Sequence, residues 1–523
     1  MQTKYMGVKM FVKVLMLVIF FATMIFVGIY SRKSVNDVNG FVLGGRSVGP
    51  WLTAFAYGTS YFSAVVFVGY AGQFGWKYGL SSTWIGIGNA LIGSLLAWVL
   101  LGRRTRVMTH HLEAKTMPEF FGKRFESSAL RLLSSLIVFI FLIPYTASVY
   151  SGLSSLFGMA FNFDYKWCVI IMALLTAVYV ILGGYMATAI NDFIQGIIML
   201  VGIVCVIVAV LNGQGGFMQA ISKLSEIPVD PKNTTQALMN MKGPFVSFLG
   251  PDPANLFGVI ILTSLGTLGL PQMVQKFYAI KSEKAVKTGT IVSTLFAVVI
   301  SCGCYFLGGF GRLFDSPAIY GANGVKYDTI IPTMLATLPD VLIGIVVVLV
   351  LSASMSTLSS LVLTSSSTFT LDFLKASVAK KMNDKKQLFI MRFLIIVFIV
   401  VSVVLALNPP TFIAQLMGIS WGALAGAFLA PFLYGLFWKK TTKASVWTSF
   451  VFGVGITVFN MFVPLFSPIN CGAIAMVGGL IIVPIVSAFT PKLSKESQEK
   501  MFACYEEKVQ VTKKIVLVED ENN

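Results

Sequence analysis

Residues 51–76 read WLTAFAYGTSYFSAVVFVGYAGQFGW. The flanks suit a lipid-crossing helix, being uncharged and, at about 1.5 Å per residue, long enough for a hydrocarbon core of about 30 Å. The middle does not. Ala56-Tyr57-Gly58-Thr59-Ser60-Tyr61-Phe62-Ser63 collects glycine and hydroxyls at a depth where an unpaired backbone group is expensive, so a break here needs a cavity to line. Further along the chain stands a second interruption, Gly266-Thr267-Leu268-Gly269-Leu270-Pro271, where Pro271 removes a backbone donor and clashes one turn back.

Working outward from these two stretches, charge-free runs bounded by loop signals give about thirteen passages of roughly 20 residues or more. They are 11–30, 51–76, 79–101, 130–157, 167–185, 191–211, 251–275, 288–310, 335–370, 389–408, 413–437, 444–465 and 471–490. Each interruption then opens a block of five passages. The expected organisation is an extra helix and loop in 1–50, a first block in 51–212, a second in 251–438, two extra helices in 444–490 and a tail in 491–523. Broken helices at matching places in two halves point to a transporter's midplane site. Two tolerated kinks without a ligand are the other reading, since Gly and Pro are common in such helices.

Composition agrees with a membrane class: 56% of the 523 residues are hydrophobic and 12% charged, against about 25% charged in soluble domains. The formal charge of +17 reflects loop bias rather than nucleic-acid binding, because no soluble stretch carries basic residues interleaved with aromatics. One set of alternate loops holds Arg32, Lys33 and Arg46; Arg103, Arg104, Arg106, Lys115, Lys123 and Arg124; and Lys276, Lys281, Lys284 and Lys287. The same set continues with Lys375, Lys380, Lys381, Lys385 and Lys386, then Lys439, Lys440 and Lys443. Basic loops stay cytoplasmic, so the N-terminus is expected outside and the tail inside a plasma membrane. Lys4, Lys9 and Lys13 argue the other way for the first helix alone. That helix lacks a small-residue cleavage site and is expected to be retained. Asn233-Thr234-Thr235 fits a glycosylation acceptor on the outer side. Most of the six scattered cysteines lie in apolar runs and read as small buried hydrophobes, and no Gly-x-Ser-x-Gly, His-Glu-x-x-His or Cys/His cluster indicates an enzyme.

The ninth passage carries Ala353-Ser354-Met355-Ser356-Thr357-Leu358-Ser359-Ser360. At about 100° per residue, positions 353, 356, 357 and 360 share one face with 359 at its flank. Such oxygens suit a hard monovalent cation, and equally suit close packing and hydrogen bonding between helices. Asp192, opening the sixth passage and followed by Gln195-Gly196, is either an intramembrane functional acid or a helix N-terminal acid.

These motifs resemble the sodium:solute symporter family from about Ser31 to Lys443. Its most specific parts are Gly44-Gly45-Arg46-Ser47 before the broken passage, Gly183-Gly184-Tyr185 through Gln195-Gly196, Ala353 through Ser360, and the Trp421-to-Trp438 segment. The resemblance implies a LeuT-type inverted repeat of five plus five helices. It implies a Na⁺ site formed by the carbonyls of Thr59, Phe62 and Ala353 and the hydroxyls of Ser356 and Thr357. Similarity to members with a second ion, held by an aspartate and three serines, extends to Asp192, Ser356, Ser359 and Ser360. Tyr61, Ser63, Gln73, Tyr145 and Thr267 become candidates to line the solute site. Sodium/proline symporters have an aspartate where this chain has Tyr61, and aromatic residues where it has Thr263 and Thr267. Sialic acid transporters use an arginine in the fourth passage where it has Pro144-Tyr145-Thr146. The expected function is therefore Na⁺-driven import of a small solute such as an amino acid, a carboxylate or a pantothenate-like acid. A proton-coupled or uncoupled transporter on the same fold, or a transporter-like sensor, stands as the alternative.

Overall fold

The computed structural model describes residues 2–34, 37–161, 164–229, 241–321 and 324–505. The triplet at Asn233 and the side chains of Lys4 and Lys9 fall outside what is described. Helices dominate. In chain order the principal ones are α1 (Gln2–Ser31), α2 (Pro50–Tyr61), α3 (65–78), α4 (83–111), α5 (Met117–Arg124), α6 (Ser128–Phe161) and α7 (Tyr165–Gly213). They continue with α8 (Pro253–Gly269), α9 (Pro271–Ala279), α10 (Glu283–Gly309), α11 (Asp340–Val378), α12 (Asp384–Leu407), α13 (Ile413–Phe437), α14 (Lys443–Phe462) and α15 (Pro468–Phe489). A two-residue hairpin pairs β1 (Tyr320–Gly321) with β2 (Gly324–Val325). Among the described residues ten helices are long and apolar enough to cross a membrane, or eleven with α8 and α9 counted as one span bent by 42°.

Polar caps set where these apolar helices begin, each satisfying an amide that the helix itself leaves unpaired. Asp252 accepts from Asn255 N at 3.2 Å at the start of α8, Ser282 from Ala285 N at 3.2 Å at α10, and Asn383 from Lys386 N at 2.9 Å at α12. The most apolar windows of α11 and α13 are 78% and 89% buried, whereas those of α1, α12, α14 and α15 are only 28–39% buried. The hydroxyl-rich helix is thus an inner element, and the shell around it turns Phe26, Phe393, Val404 and Ile481 outward.

The passages expected at 167–185 and 191–211 are joined without a loop. They form the 49-residue α7, broken at Gly184 (φ 53°, ψ −147°). Only glycine accepts that conformation readily, and a Cβ there would stand 2.8 Å from the carbonyl oxygen of Phe41.

The basic segments gather at one end. Arg103 pairs with Glu283 at 2.7 Å, Arg106 donates to Ile280 O at 2.9 Å, Arg124 donates to Gly435 O at 2.9 Å, and Tyr505 of the tail donates to Arg104 O at 3.1 Å. Beside them, Asp372 accepts from Arg131 Nε at 2.7 Å and from Thr116 Oγ1 at 2.5 Å. At the opposite end a cavity of about 760 Å³ opens between Gln73, Trp76, Lys77, Asp252, Arg312 and Tyr327. Two lysines assigned by sequence to the loop-charge tally behave otherwise. Lys13, which seemed to contradict the expected orientation, is neutralised by Asp340 at 2.9 Å. Lys276 is not a loop residue: it lies inside α9 and is 2% exposed.

Candidate functional site

Both interruptions are real breaks. After α2 ends at Tyr61, Phe62 is extended (φ −92°, ψ 120°), and the chain turns back into helix at α3. Leu270 (φ −82°, ψ 126°) separates α8 from α9 in the same way, with Pro271 in the first turn where its missing N–H costs nothing. The amides freed at the first break find partners. Val65 N donates to Ser63 Oγ at 3.1 Å and Ala64 N to Ser354 Oγ at 3.2 Å.

The carbonyls freed there converge with α11. Ser356 Oγ lies 2.9 Å from Thr59 O and 3.1 Å from Ala353 O. Thr357 Oγ1 lies 3.3 Å from Thr59 O, 3.3 Å from Ser60 O, 3.4 Å from Phe62 O and 3.1 Å from Ala353 O. The family resemblance singled out the oxygens of Thr59, Phe62, Ala353, Ser356 and Thr357, and the fold brings all five together; Ser60 O adds a sixth. Oxygens at about 2.4 Å from a hard cation and at right angles to one another stand about 3.4 Å apart. The spacing of this cluster is of that size, it carries no formal charge, and it is buried.

Around Asp192 the arrangement is different. Its carboxylate is fully buried and lies 3.8 Å from Lys276 Nζ, which donates to Ser360 Oγ at 3.0 Å. Ser360 Oγ is in turn 2.8 Å from Ser60 Oγ. Ser359 Oγ instead bonds back to Ser356 O at 2.9 Å.

The solute candidates divide. The rings of Tyr61 and Tyr145 flank Trp421, with centroids 5.6 and 5.9 Å from it. Tyr70 and Tyr305 adjoin Tyr61 in the same buried region. Among the described residues, the hydroxyls of these four tyrosines and Nε1 of Trp421 are buried and make no well-formed hydrogen bond, though Tyr61 stands near Thr263 and Tyr305, and Tyr145 near Trp421. Orphan polar atoms gathered in one place mark where a ligand or water would satisfy them. Gln73, whose Oε1 is also unpartnered among the described residues, lines the large cavity instead. Between the two lies Phe74, a wall of that cavity whose ring is 5.0 Å from Tyr70. Ser63 is committed to its cap and Thr267 donates to Gly93 O at 2.9 Å, beside Tyr57 at 2.7 Å from the same oxygen. Sequence reasoning had not chosen Tyr70, Tyr305, Trp421 or Lys276. Aromatics inside apolar helices look like packing, and only the three-dimensional clustering of their unmet polar atoms separates them from it.

The sodium:solute symporter family model matches residues 41–453. The chain is 32% identical over 498 residues to the sodium/proline symporter of Staphylococcus aureus strain JH9, covering 92% of this chain and 93% of that one. The homologue from strain COL matches to the same extent. Among solved structures, the fold is shared with a substrate-bound, outward-open Na⁺-coupled sialic acid symporter (TM-score 0.74, 18% identity, 92% of this chain and 99% of that one). Mhp1, a nucleobase-cation-symport-1 family transporter, in a closed conformation also resembles it (TM-score 0.51, 13% identity, 88% of this chain and 97% of that one).

Proposed function

This chain belongs to the sodium:solute symporter family, and we propose that it imports a small amino acid or carboxylate by alternating access, driven by Na⁺ bound at the Thr59–Thr357 cluster. The observation that carries the reading is the convergence of Thr59, Phe62 and Ala353 carbonyls with the Ser356 and Thr357 hydroxyls, every described contact among them 2.9–3.4 Å. Without the ion the hydroxyls turn their hydrogens to those carbonyls. With it they turn their lone pairs to the ion, so the same atoms serve both states.

The architecture behind this reading is the family's two five-helix repeats, 51–212 and 251–438, with about thirteen passages in all. At about 1.5 Å per residue, the 49-residue α7 would span about 74 Å, more than two hydrocarbon cores, so Gly184 divides it into two passages. The helices 65–78 and 83–111 divide likewise at Gly79. Basic loops and the tail at one end support a cytoplasmic C-terminus there, with the N-terminus outside. The large cavity then faces outward, and the Arg131–Asp372–Thr116 contacts close the inner end.

Tyr61, Tyr145 and Trp421, with Tyr70 and Tyr305, form the proposed solute cage. Phenol and indole donors fit a carboxylate, and the ring faces accept an aliphatic body or an ammonium group. The relatives named sodium/proline symporters support a solute of that size. No basic side chain takes part in the described cage, so a bulky sugar acid is disfavoured. An inward-negative membrane contributes about 2.3 kcal/mol per charge per 100 mV, which favours concentrating a neutral solute with one ion. The test is uptake into proteoliposomes of a panel of radiolabelled amino acids, small carboxylates and pantothenate under an inward Na⁺ gradient. Accumulation abolished by replacing Na⁺ with choline supports the reading. Equal accumulation in Na⁺-free buffer, or accumulation driven by a proton gradient alone, refutes it.

A further inference from the structure

At the basic end of the molecule a second cavity, of about 260 Å³, has no place in the function so far. Its walls carry Lys115 just before α5, Glu119 in α5, Arg131 in α6, Lys375 near the end of α11 and Lys380 just past it. Four cations therefore face one carboxylate, and that carboxylate is already committed. Glu119 takes Lys123 Nζ at 3.2 Å, Arg131 Nη2 at 3.4 Å and the backbone N–H of Lys115 at 2.9 Å. Asp372, the other acid on Arg131, accepts from its Nε at 2.7 Å but is fully buried and does not line the cavity. Lys375 Nζ donates to a neutral acceptor, Gln387 Oε1, at 3.2 Å. Among the described residues neither the Lys115 nor the Lys380 ammonium has an ion-pair partner. A cleft lined by one sign of charge draws in the opposite sign.

We infer that this cavity binds a phosphate group, from an anionic phospholipid headgroup or from solution, held by Lys115, Arg131, Lys375 and Lys380. Phosphate presents several acceptor oxygens at once, as four cations on separate segments require, and the described contacts of Arg131 use only Nε and Nη2, leaving Nη1 for an anion. The volume lies just below the roughly 300–1,000 Å³ of clefts that hold whole small molecules, which suits a headgroup. Position favours the lipid source. Val378, one turn past Lys375, is 74% exposed, and Phe389 in the first turns of α12 is 71% exposed, with Lys380, Lys381, Lys385 and Lys386 between them. Outward apolar side chains beside lysines mark the level where acyl chains give way to headgroups, and basic pockets between helices there take anionic ones. A phosphate so held ties α6 to α11 across the Arg131–Asp372 contact proposed to close the inner end. The site itself stands apart from the sodium and solute readings; only this consequence rests on them.

Thermal stability of the purified full-length protein in a neutral detergent, at constant Na⁺ and ionic strength, tests it. Dioctanoyl phosphatidylglycerol is expected to raise the melting temperature saturably, and dioctanoyl phosphatidylcholine, whose headgroup has no net charge, to leave it unchanged. Each lysine beside an anionic headgroup is worth about a factor of five, so Lys115→Gln/Lys380→Gln should raise half-saturation roughly twenty- to thirtyfold. Lys115→Arg/Lys380→Arg keeps both charges and should respond as the wild type does. So should Lys281→Gln/Lys284→Gln, which removes two exposed lysines outside the cavity. In a second arm sodium phosphate replaces sodium chloride. Stabilisation by phosphate but not by the lipid, lost in Lys115→Gln/Lys380→Gln, supports the site and assigns it to soluble phosphate. Stabilisation by neither probe overturns the inference, as does an equal effect of phosphatidylcholine. An unchanged response of Lys115→Gln/Lys380→Gln, or an equal loss in Lys281→Gln/Lys284→Gln, overturns it too, because the attraction then belongs to the basic face at large. A failed sodium site is read separately, from stabilisation by Na⁺ without either probe.

Discussion

Removing the two hydroxyls of α11 tests the sodium site with a magnitude that the geometry supplies. Ser356→Ala/Thr357→Ala deletes two of the five oxygens proposed as ligands and leaves three carbonyls. A hydrogen-bonding contact to a charged group is worth about 1.5–3 kcal/mol, so losing one oxygen from the ion should cost about that much. The ion-free protein is also affected, because each hydroxyl satisfies carbonyls there: Ser356 Oγ donates toward Thr59 O and Ala353 O, and Thr357 Oγ1 approaches four carbonyl oxygens. Stripping a neutral donor from those carbonyls raises the ion-free state by about 1 kcal/mol per hydroxyl. The net loss of Na⁺ affinity is therefore about 0.5–2 kcal/mol per hydroxyl and about 1–4 kcal/mol for the pair. At 1.4 kcal/mol per factor of ten, that is a rise in half-saturation between about fivefold and several hundredfold. The readout is Na⁺-dependent thermal stabilisation of the purified protein, titrated with NaCl against choline chloride at constant ionic strength, since a ligand of the folded state raises apparent stability as RT ln(1 + [Na⁺]/Kd). Thr357→Ser, which keeps the oxygen, should stay close to wild type. A folded double variant whose half-saturation lies within twofold of wild type would refute the assignment.

Three further outcomes are expected. Tyr145→Phe removes a buried hydroxyl that makes no well-formed hydrogen bond among the described residues; melting temperature should hold or rise, because an unmet buried polar group costs about 1–3 kcal/mol, while uptake of the identified solute should show a raised KM and Na⁺-only stabilisation should not change. Asp372→Asn removes the charge from the contact with Arg131, which keeps Glu119 at 3.4 Å; reducing a charged hydrogen bond to a neutral one should shift the balance by about 1–2 kcal/mol towards inward-open states, read as faster alkylation of a cysteine placed at buried Ser366 when reagent is applied from the basic face. Burial pushes the Asp328 carboxyl up to about 6 even though Ile413 N donates to it. A folded-state value above the unfolded one means stability fully present below about pH 4 and lost as pH rises through 6, so Asp328→Asn should raise the melting temperature at pH 8 and leave it unchanged at pH 4.

Much of the scaffold could be read from hydropathy and punctuation because lipid penalises every unpaired backbone group. Gly58 to Ser63 and Gly266 to Pro271 therefore stood out as breaks, and the five oxygens that the family resemblance placed around the first one converge. The junction at 185–191 was misread as a loop because a lone left-handed glycine redirects a helix without any polar signal. Lys276 was misplaced for a more general reason. A lysine a few residues past a proline-marked break is assigned by charge statistics to the nearest loop, and only its companion Asp192, distant in sequence, reveals that it is buried. The proposed solute cage was half legible. Tyr61 and Tyr145 were candidates from their positions, whereas Tyr70, Tyr305 and Trp421 cannot be told from packing aromatics until their unpartnered hydroxyls and indole are found side by side.

The proposed ion and solute sites share one short stretch of backbone. Thr59 and Phe62 contribute carbonyls to the oxygen cluster, and Tyr61, between them, sends its ring to Trp421 at 5.6 Å. An ion that draws the 59 and 62 carbonyls together fixes the peptide planes that bracket residues 60–62, and with them restricts the direction in which the side chain of residue 61 leaves the chain. Coupling then requires no relay across the protein, only that one extended residue, Phe62, hold its conformation. By linkage, whatever factor the ion adds to solute affinity the solute must return to the ion.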